Sequence, residues 1–318
     1  MGFFETLLWP IRWVVEAVLV LWHNLFTALG LESASGITWV LAVLGLVVVV
    51  RSLIIPLTLK QIRSQRKMME LGPEMRKIQA KYKGKRDQFS QQQMQQETFA
   101  LYRKHGTNPL ASCFPILAQM PIFFALFYVL RNAANNVPGI GFMTQELTSS
   151  FNNAVFLGAP LKMSFGEARD AGEWSVLILL GVIMVLMIAS QFFTQLQIMS
   201  KNVSDETKAS PMYRQQKVLL YVIPFAFLFS GFIFPLALNI YWFSSNIWTM
   251  VQQAIVINQM PTPGSEAWRN RQARLKAKGK LTDDEVAELN RVEGVKNTAG
   301  QRQQPMSAKR AKKKGGNQ

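Results

Sequence analysis

The chain is poor in the residues that do covalent and redox chemistry. A single cysteine, Cys113, excludes an intramolecular disulfide and any cysteine-clustered metal or redox centre. With two histidines in 318 residues, a metalloenzyme has little to build on. No GxxxxGK[ST] phosphate loop occurs, so the sequence shows no nucleotide-driven engine. No enzyme activity, cofactor or metal is expected. Charge is scarce too, at 17% of residues where a soluble domain has about 25%. What charge there is leans one way, with 35 Lys and Arg against 19 Asp and Glu on a chain that is 49% hydrophobic.

The apolar residues come in blocks of bilayer length, about 20 residues at 1.5 Å each for ~30 Å of hydrocarbon. Five spans are expected, at residues 37–59, 109–130, 175–199, 218–234 and 236–258, the last two joined as a hairpin at Pro235. Between them, residues 60–108 hold 12 Lys and Arg against 4 acids, residues 199–217 hold 4 against 2, and the tail from 258 holds 14 against 6. On the opposite side, residues 1–36 hold 1 against 3 and residues 131–174 hold 3 against 4. Because Lys and Arg of short loops stay in the cytoplasm, the N-terminus is expected outside and the C-terminus inside.

Within the extracytoplasmic segment 1–36, the first 30 residues are apolar enough to raise three possibilities. Glu5, Arg12, Glu16, His23 and Thr27 recur at 7, 4, 7 and 4, which gathers them on one helical stripe. A signal peptide would open on a basic region, whereas Glu5 is the only charge before Arg12. An amphipathic helix lying in the outer interface fits better, with a buried sixth span as the competing reading. Residues 60–108 predict a basic helical hairpin reversing at Gly84, with Met68, Met69, Leu71, Met75, Ile78 and Tyr82 on one arm and Phe89, Met94, Phe99, Leu101 and Tyr102 on the other. Asn108 and Pro109 make a favoured start for the second span. Residues 259–318 are expected to form a basic, disordered tail ending in Lys309, Arg310, Lys312, Lys313 and Lys314, with a short helix possible at 281–291. Such a tail suits anionic lipids and RNA alike.

One residue stands apart. Arg51 lies in VVVVRSLIIP, and none of the five spans contains an Asp or Glu to pair with it. A charge at such a depth costs about 2.5–3.5 kcal/mol on insertion scales, so it should face protein or water. The plainer alternative is that it snorkels to the near interface, some 12 Å away by helical rise. Other spans supply polar company. Asn239, Trp242, Asn246, Thr249 and Gln253 recur at 3, 4, 3 and 4; Gln191 and Gln195 are one turn apart, and Ser112 and Gln119 two. Amides and hydroxyls often join membrane helices to one another, which accounts for the Asn and Gln but not for the arginine. A water-filled concavity that receives acidic groups accounts for both. Proton- or sodium-coupled transport would place acids or histidine in the spans.

GPEMRKIQAKY, YRKHGTNPLASCFPILAQMPIFFALFYVLR and LNIYWFSSNIWTMVQQ resemble the YidC family of membrane-protein insertases, in its short, five-span bacterial form, over roughly residues 37–258. The resemblance implies an all-α membrane protein with five transmembrane helices around a hydrophilic groove open to the cytoplasm. Arg51 falls where that family has its groove arginine, and Gln191 and Trp242 fall at groove positions; Gln119 and Asn246 are added from the helix reading. It further implies that nascent membrane proteins enter the groove, that no nucleotide is needed, and that the hairpin and tail meet the ribosome, the signal-recognition receptor, the Sec translocon and anionic lipids. Two other classes stay open: an anion channel or carrier using Arg51 for selectivity, and a membrane anchor for RNA or ribosomes resting on the tail.

Overall fold

The computed structural model describes residues 3–85, 87–106, 114–208, 213, 217–218, 220–222 and 232–300. It is mostly helical: α1 (Phe3–Ala28), α2 (Gly36–Glu70), α3 (Gly72–Lys81), α4 (Gln88–Lys104), α5 (Phe114–Ala134), α6 (Gln145–Asn153), α7 (Phe165–Ala171), α8 (Trp174–Lys201), α9 (Asp205–Lys208), α10 (Leu236–Gln259), α11 (Glu266–Ala277) and α12 (Asp283–Gly300). A two-stranded antiparallel hairpin, β1 (Val155–Phe156) and β2 (Ala159–Pro160), follows α6. Its two-residue turn has positive φ at both Leu157 and Gly158, the geometry that matches the twist of paired strands.

Among the described residues three helical stretches are long and apolar enough to cross a membrane: Thr6–Ala28, Gly36–Ser64 and Trp174–Lys201. In α8 the reason is visible residue by residue. Val176, Leu180, Ile183 and Met187 form the stripe it buries, while Ile178, Val182, Val185 and Leu186 on the other side are exposed and equally apolar. A helix hydrophobic all round belongs in lipid or in a deep core, and this one faces outward. The core runs along the bundle through Leu19, Trp39, Leu46, Leu126, Leu130, Leu180, Met187, Leu236 and Tyr241. There α1 packs on α2 and α5, and α10 on α8 and α2. Gly45 permits the α1–α2 approach: a Cβ there would stand 2.4 Å from the Trp22 ring. The start of α10 has no side-chain cap; its Leu236 and Ala237 N–H groups donate instead to the carbonyls of Met163 and Leu161, at 2.8 and 3.0 Å.

Several expectations change in detail. The polar stripe of α1 does not face water. Glu16 is fully buried, with Arg12 and His23 nearly so, whereas Leu7, Leu21 and Leu25 are exposed. The cause lies in residues 139–142 and the first turn of α2. The Glu16 carboxylate accepts the N–H groups of Ile140 and Gly141 at 3.0 and 2.9 Å. His23 bonds the Ser33 carbonyl at 2.9 Å through Nε2 and lies against Trp39, and the Arg12 guanidinium sits over the Tyr128 ring.

The helix of the first expected span does not stop with it at Leu59: α2 continues unbroken to Glu70. The basic segment then folds as α3 and α4, which reverse near Gly84 at φ +87° and are joined by Tyr82, Lys81 and Glu97. The Lys81 ammonium and the Tyr82 hydroxyl, bonding Glu97, hold its carboxyl below the usual carboxylate range.

The segment after residue 258 is not wholly a disordered tail, since α11 and α12 occupy 266–277 and 283–300. Averaged composition hides the local anchors. Ser265 caps α11 by accepting the Trp268 N–H, Trp268 is buried, Asn202 Oδ1 accepts the Thr262 N–H at 2.8 Å, and Arg269 pairs with Asp205 at 2.9 Å. The Asn108–Pro109 start, most of the expected span 218–234, and the terminal Lys309, Arg310, Lys312, Lys313 and Lys314 lie outside the described residues.

Candidate functional site

Arg51 comes from the middle of α2, half-buried, on a helix with no acidic residue before Glu70. It has no ion pair among the described residues, and its buried Nε has no hydrogen-bond partner. The group nearest to it in character is a neutral one. The Tyr241 phenol, on the buried face of α10, lies close enough to Arg51 for the two to interact electrostatically. From a third helix, α5, Gln119 donates Nε2–H to the Tyr241 hydroxyl at 2.9 Å. One turn beyond Tyr241, the buried Ser245 hydroxyl lies within reach of the Tyr241 phenol, and the next residue, Asn246, has a buried Nδ2 without a hydrogen-bond partner among the described residues.

Three helices therefore bring a guanidinium, a phenol, a carboxamide and a hydroxyl towards one region of the bundle. A buried polar atom left unbonded, as Arg51 Nε is, costs about 1–3 kcal/mol and normally serves water or a polar guest. Chemically the arrangement can bind. A cation ringed by neutral hydrogen-bonding groups attracts carboxylates, while none of its members is a strong base or an activated nucleophile at neutral pH.

Of the residues singled out from sequence, Arg51 and Gln119 both interact with Tyr241, whereas Asn246 follows Trp242 at i+4 and so shares the tryptophan's side of α10. The Trp242 ring stacks parallel on Phe123, one turn from Gln119 on α5, at 5.0 Å and edge-on to Phe234 at 5.2 Å, in an aromatic cluster with Phe127. Gln191 is half-buried on α8, and no described hydrogen bond or ion pair joins it to Arg51. Tyr241 and Ser245 lie off the polar stripe that runs through Asn239 and Trp242, and the periodicity of that stripe does not pick them out. The i, i+4 pair of hydroxyls one residue over was the available signal.

Comparison with known proteins gives this geometry its setting. Residues 30–263 match the model of the family described as 60Kd inner membrane protein. Tropheryma whipplei has a relative called membrane protein insertase YidC, 43% identical over 98% of this chain and 98% of its own length. A relative of the same name from Streptomyces avermitilis is 41% identical over 81% of this chain and 59% of its own, and one from Bifidobacterium longum 33% over 98% and 96%. A solved structure described as an active YidC insertase with the first transmembrane domain resolved is similar at a TM-score of 0.46 and 22% identity, covering 80% of this chain and 47% of the other. The chain belongs to the 60Kd inner membrane protein family, that of the insertases called YidC.

Proposed function

We propose that the protein is a multi-pass insertase of the bacterial cell membrane, which takes hydrophilic segments of nascent membrane proteins into a groove around Arg51. The observation that carries the reading is the half-buried guanidinium of α2 with no ion pair among the described residues and an unbonded Nε, set near the Tyr241 phenol to which Gln119 donates a hydrogen bond. Acidic parts of a substrate are held there transiently while its apolar segments slide along the exposed sides of the bundle into lipid. Burial at about 25 cal/mol per Å² of apolar surface drives release, so no nucleotide is required. The membership of the family and the name its relatives bear support the same reading.

In this reading the groove opens to the cytoplasm, α3 and α4 form the cytoplasmic hairpin, and the C-terminus is cytoplasmic. Five helices span the bilayer while α1 lies at the outer interface. Its contacts support that placement although its length and composition would allow it to cross. A helix running down antiparallel to α2 would carry Arg12, eleven residues or about 16 Å beyond His23, towards mid-membrane. Instead Arg12 meets Tyr128, six residues or about 9 Å from the end of α5, while His23 meets Trp39 near the start of α2. The ribosome, the signal-recognition receptor, the Sec translocon and anionic lipids are the partners proposed for the hairpin, α11, α12 and the terminal lysines.

The test is insertion of single-span substrates with acidic translocated tails, in cells depleted of the native copy. Arg51→Ala should block it and Arg51→Lys should restore part of it. Normal insertion with both Ala and Glu at position 51 would remove the central claim, and anion flux through purified proteoliposomes that is lost with Arg51 would favour a channel instead.

A further inference from the structure

A second polar site, lined by none of the residues that surround Arg51, lies where α5 ends. A cavity of about 660 Å³ opens there, walled by Phe127 and Arg131 of α5, by Lys162, Met163 and Glu167, and by Ile233 just before α10. That volume is within the usual range for a small-molecule pocket, about 300–1,000 Å³.

Its walls are divided by chemistry. Arg131 is the first charge after the apolar run of α5, it makes no ion pair among the described residues, and its guanidinium lies over the Phe127 ring at 5.7 Å. Stacking on a ring face leaves the in-plane N–H donors of a guanidinium available. Lys162 gives one of its three donors to Asn152 Oδ1 at 2.7 Å, and Asn152 in turn donates to the Ala134 carbonyl at 2.6 Å. That chain ties the ammonium to the last turn of α5. The one carboxylate in the wall, Glu167, is already engaged, its Oε2 accepting both the N–H and the hydroxyl of Ser164 at 2.8 Å in a helix cap. Two cations thus face one committed anion. Asn135 and Ser164 complete the polar side; Phe127, Met163, Ile233 and Pro235 form the apolar side, which continues into Phe232 and Ile233, 50% and 68% exposed.

From this division we infer that the cavity binds an anionic phospholipid of the outer leaflet, its phosphate between Arg131 and Lys162 and its acyl chains along Phe127, Phe232 and Ile233. Depth agrees with the chemistry: Arg131 marks the level at which the apolar run of α5 gives way to polar sequence, where the phosphates of a bilayer lie. An inorganic phosphate would satisfy the two cations but leave the apolar half of the cavity to water. The inference rests on the membrane reading of α5 and is independent of Arg51.

The experiment uses the full chain in detergent micelles supplied with phosphatidylglycerol or phosphatidylcholine of matched acyl chains, with bound lipid counted by native mass spectrometry. Wild type should retain phosphatidylglycerol about tenfold better, and Arg131→Gln with Lys162→Gln should abolish the preference, since charge-assisted bonds to phosphate are the strong ones. Arg51→Ala should retain it, which separates this site from the substrate groove. Arg131→Lys should keep most of the preference. Should the double variant fail to fold, Arg131→Gln alone serves, because that side chain is exposed. Equal retention of the two lipids by wild type, an unchanged preference in the folded variants, or displacement of phosphatidylglycerol by millimolar inorganic phosphate would each overturn the assignment.

Discussion

Glu16 offers the sharpest test of how the N-terminal helix is fastened. Its carboxylate is fully buried and accepts two backbone N–H groups, from Ile140 at 3.0 Å and Gly141 at 2.9 Å. The fit is close: a Cβ on Gly139 would stand 2.5 Å from the Glu16 oxygen. Hydrogen bonds to a charged acceptor contribute about 1.5–3 kcal/mol each. Glu16→Gln keeps the shape and one acceptor oxygen but turns an NH₂ towards the second N–H, so it should cost about 2 kcal/mol. Glu16→Ala leaves both N–H groups buried and unbonded at about 1–3 kcal/mol apiece, roughly 2–6 kcal/mol in all. Amide hydrogen exchange at Ile140 and Gly141 reads this directly. At about 1.4 kcal/mol per factor of ten, the Gln variant should exchange there about 30-fold faster, and the Ala variant faster still. Amides in α3 and α4 have no contact with this lock and should not change. Exchange at 140 and 141 that is the same in wild type and both variants would refute the account, and so would acceleration spread evenly over the chain.

Three further outcomes are expected. A double-mutant cycle on Tyr241→Phe and Gln119→Leu should show coupling of about 1 kcal/mol in thermal stability, the worth of one buried neutral hydrogen bond; additive effects would mean that the 2.9 Å contact contributes nothing. Trp268→Ala should cost about 3–5 kcal/mol in the packing of α11 against the ends of α8 and α10, seen as protease cleavage in residues 262–277, whereas truncation after Gly300 should leave that region protected. Arg271, bonding Glu285 at 2.6 Å, and then the Thr282 N–H hold the Glu285 carboxyl below its ordinary value. Since the folded value is the lower one, the α11–α12 contact gains from this pair above about pH 4.3 and loses the gain as pH falls through the lowered value. An NMR titration should find the Glu285 midpoint raised in Arg271→Gln, and equal midpoints would exclude the pairing.

Much of this protein is written in one dimension. The apolar blocks give α2, α5, α8 and α10 because a run of about 20 apolar residues has few alternatives to a membrane helix or a deep core. The arginine without an acid stands out in a plain reading of VVVVRSLIIP, since burial cost depends on charge and depth alone. The reversal at Gly84 was equally legible, because positive φ favours glycine. Other features depended on which surfaces meet. The stripe of Arg12, Glu16 and His23 reads as a watered face, and only residues 139–142 and the start of α2, distant in sequence, turn it into a buried one. Trp242 and Tyr241 are adjacent in sequence but about 100° apart around the helix; the packing of α10 against α2 and α5 chose the tyrosine for Arg51 and left the tryptophan to Phe123. The order of α11 likewise turns on one buried Trp268, a Ser265 cap and the ends of two other helices, none of which weighs much in an average over a basic segment. Periodicity and charge are properties of a chain and fix where helices and orphan charges fall. Which partner each face meets is a property of pairs of helices, and the tertiary structure decided it.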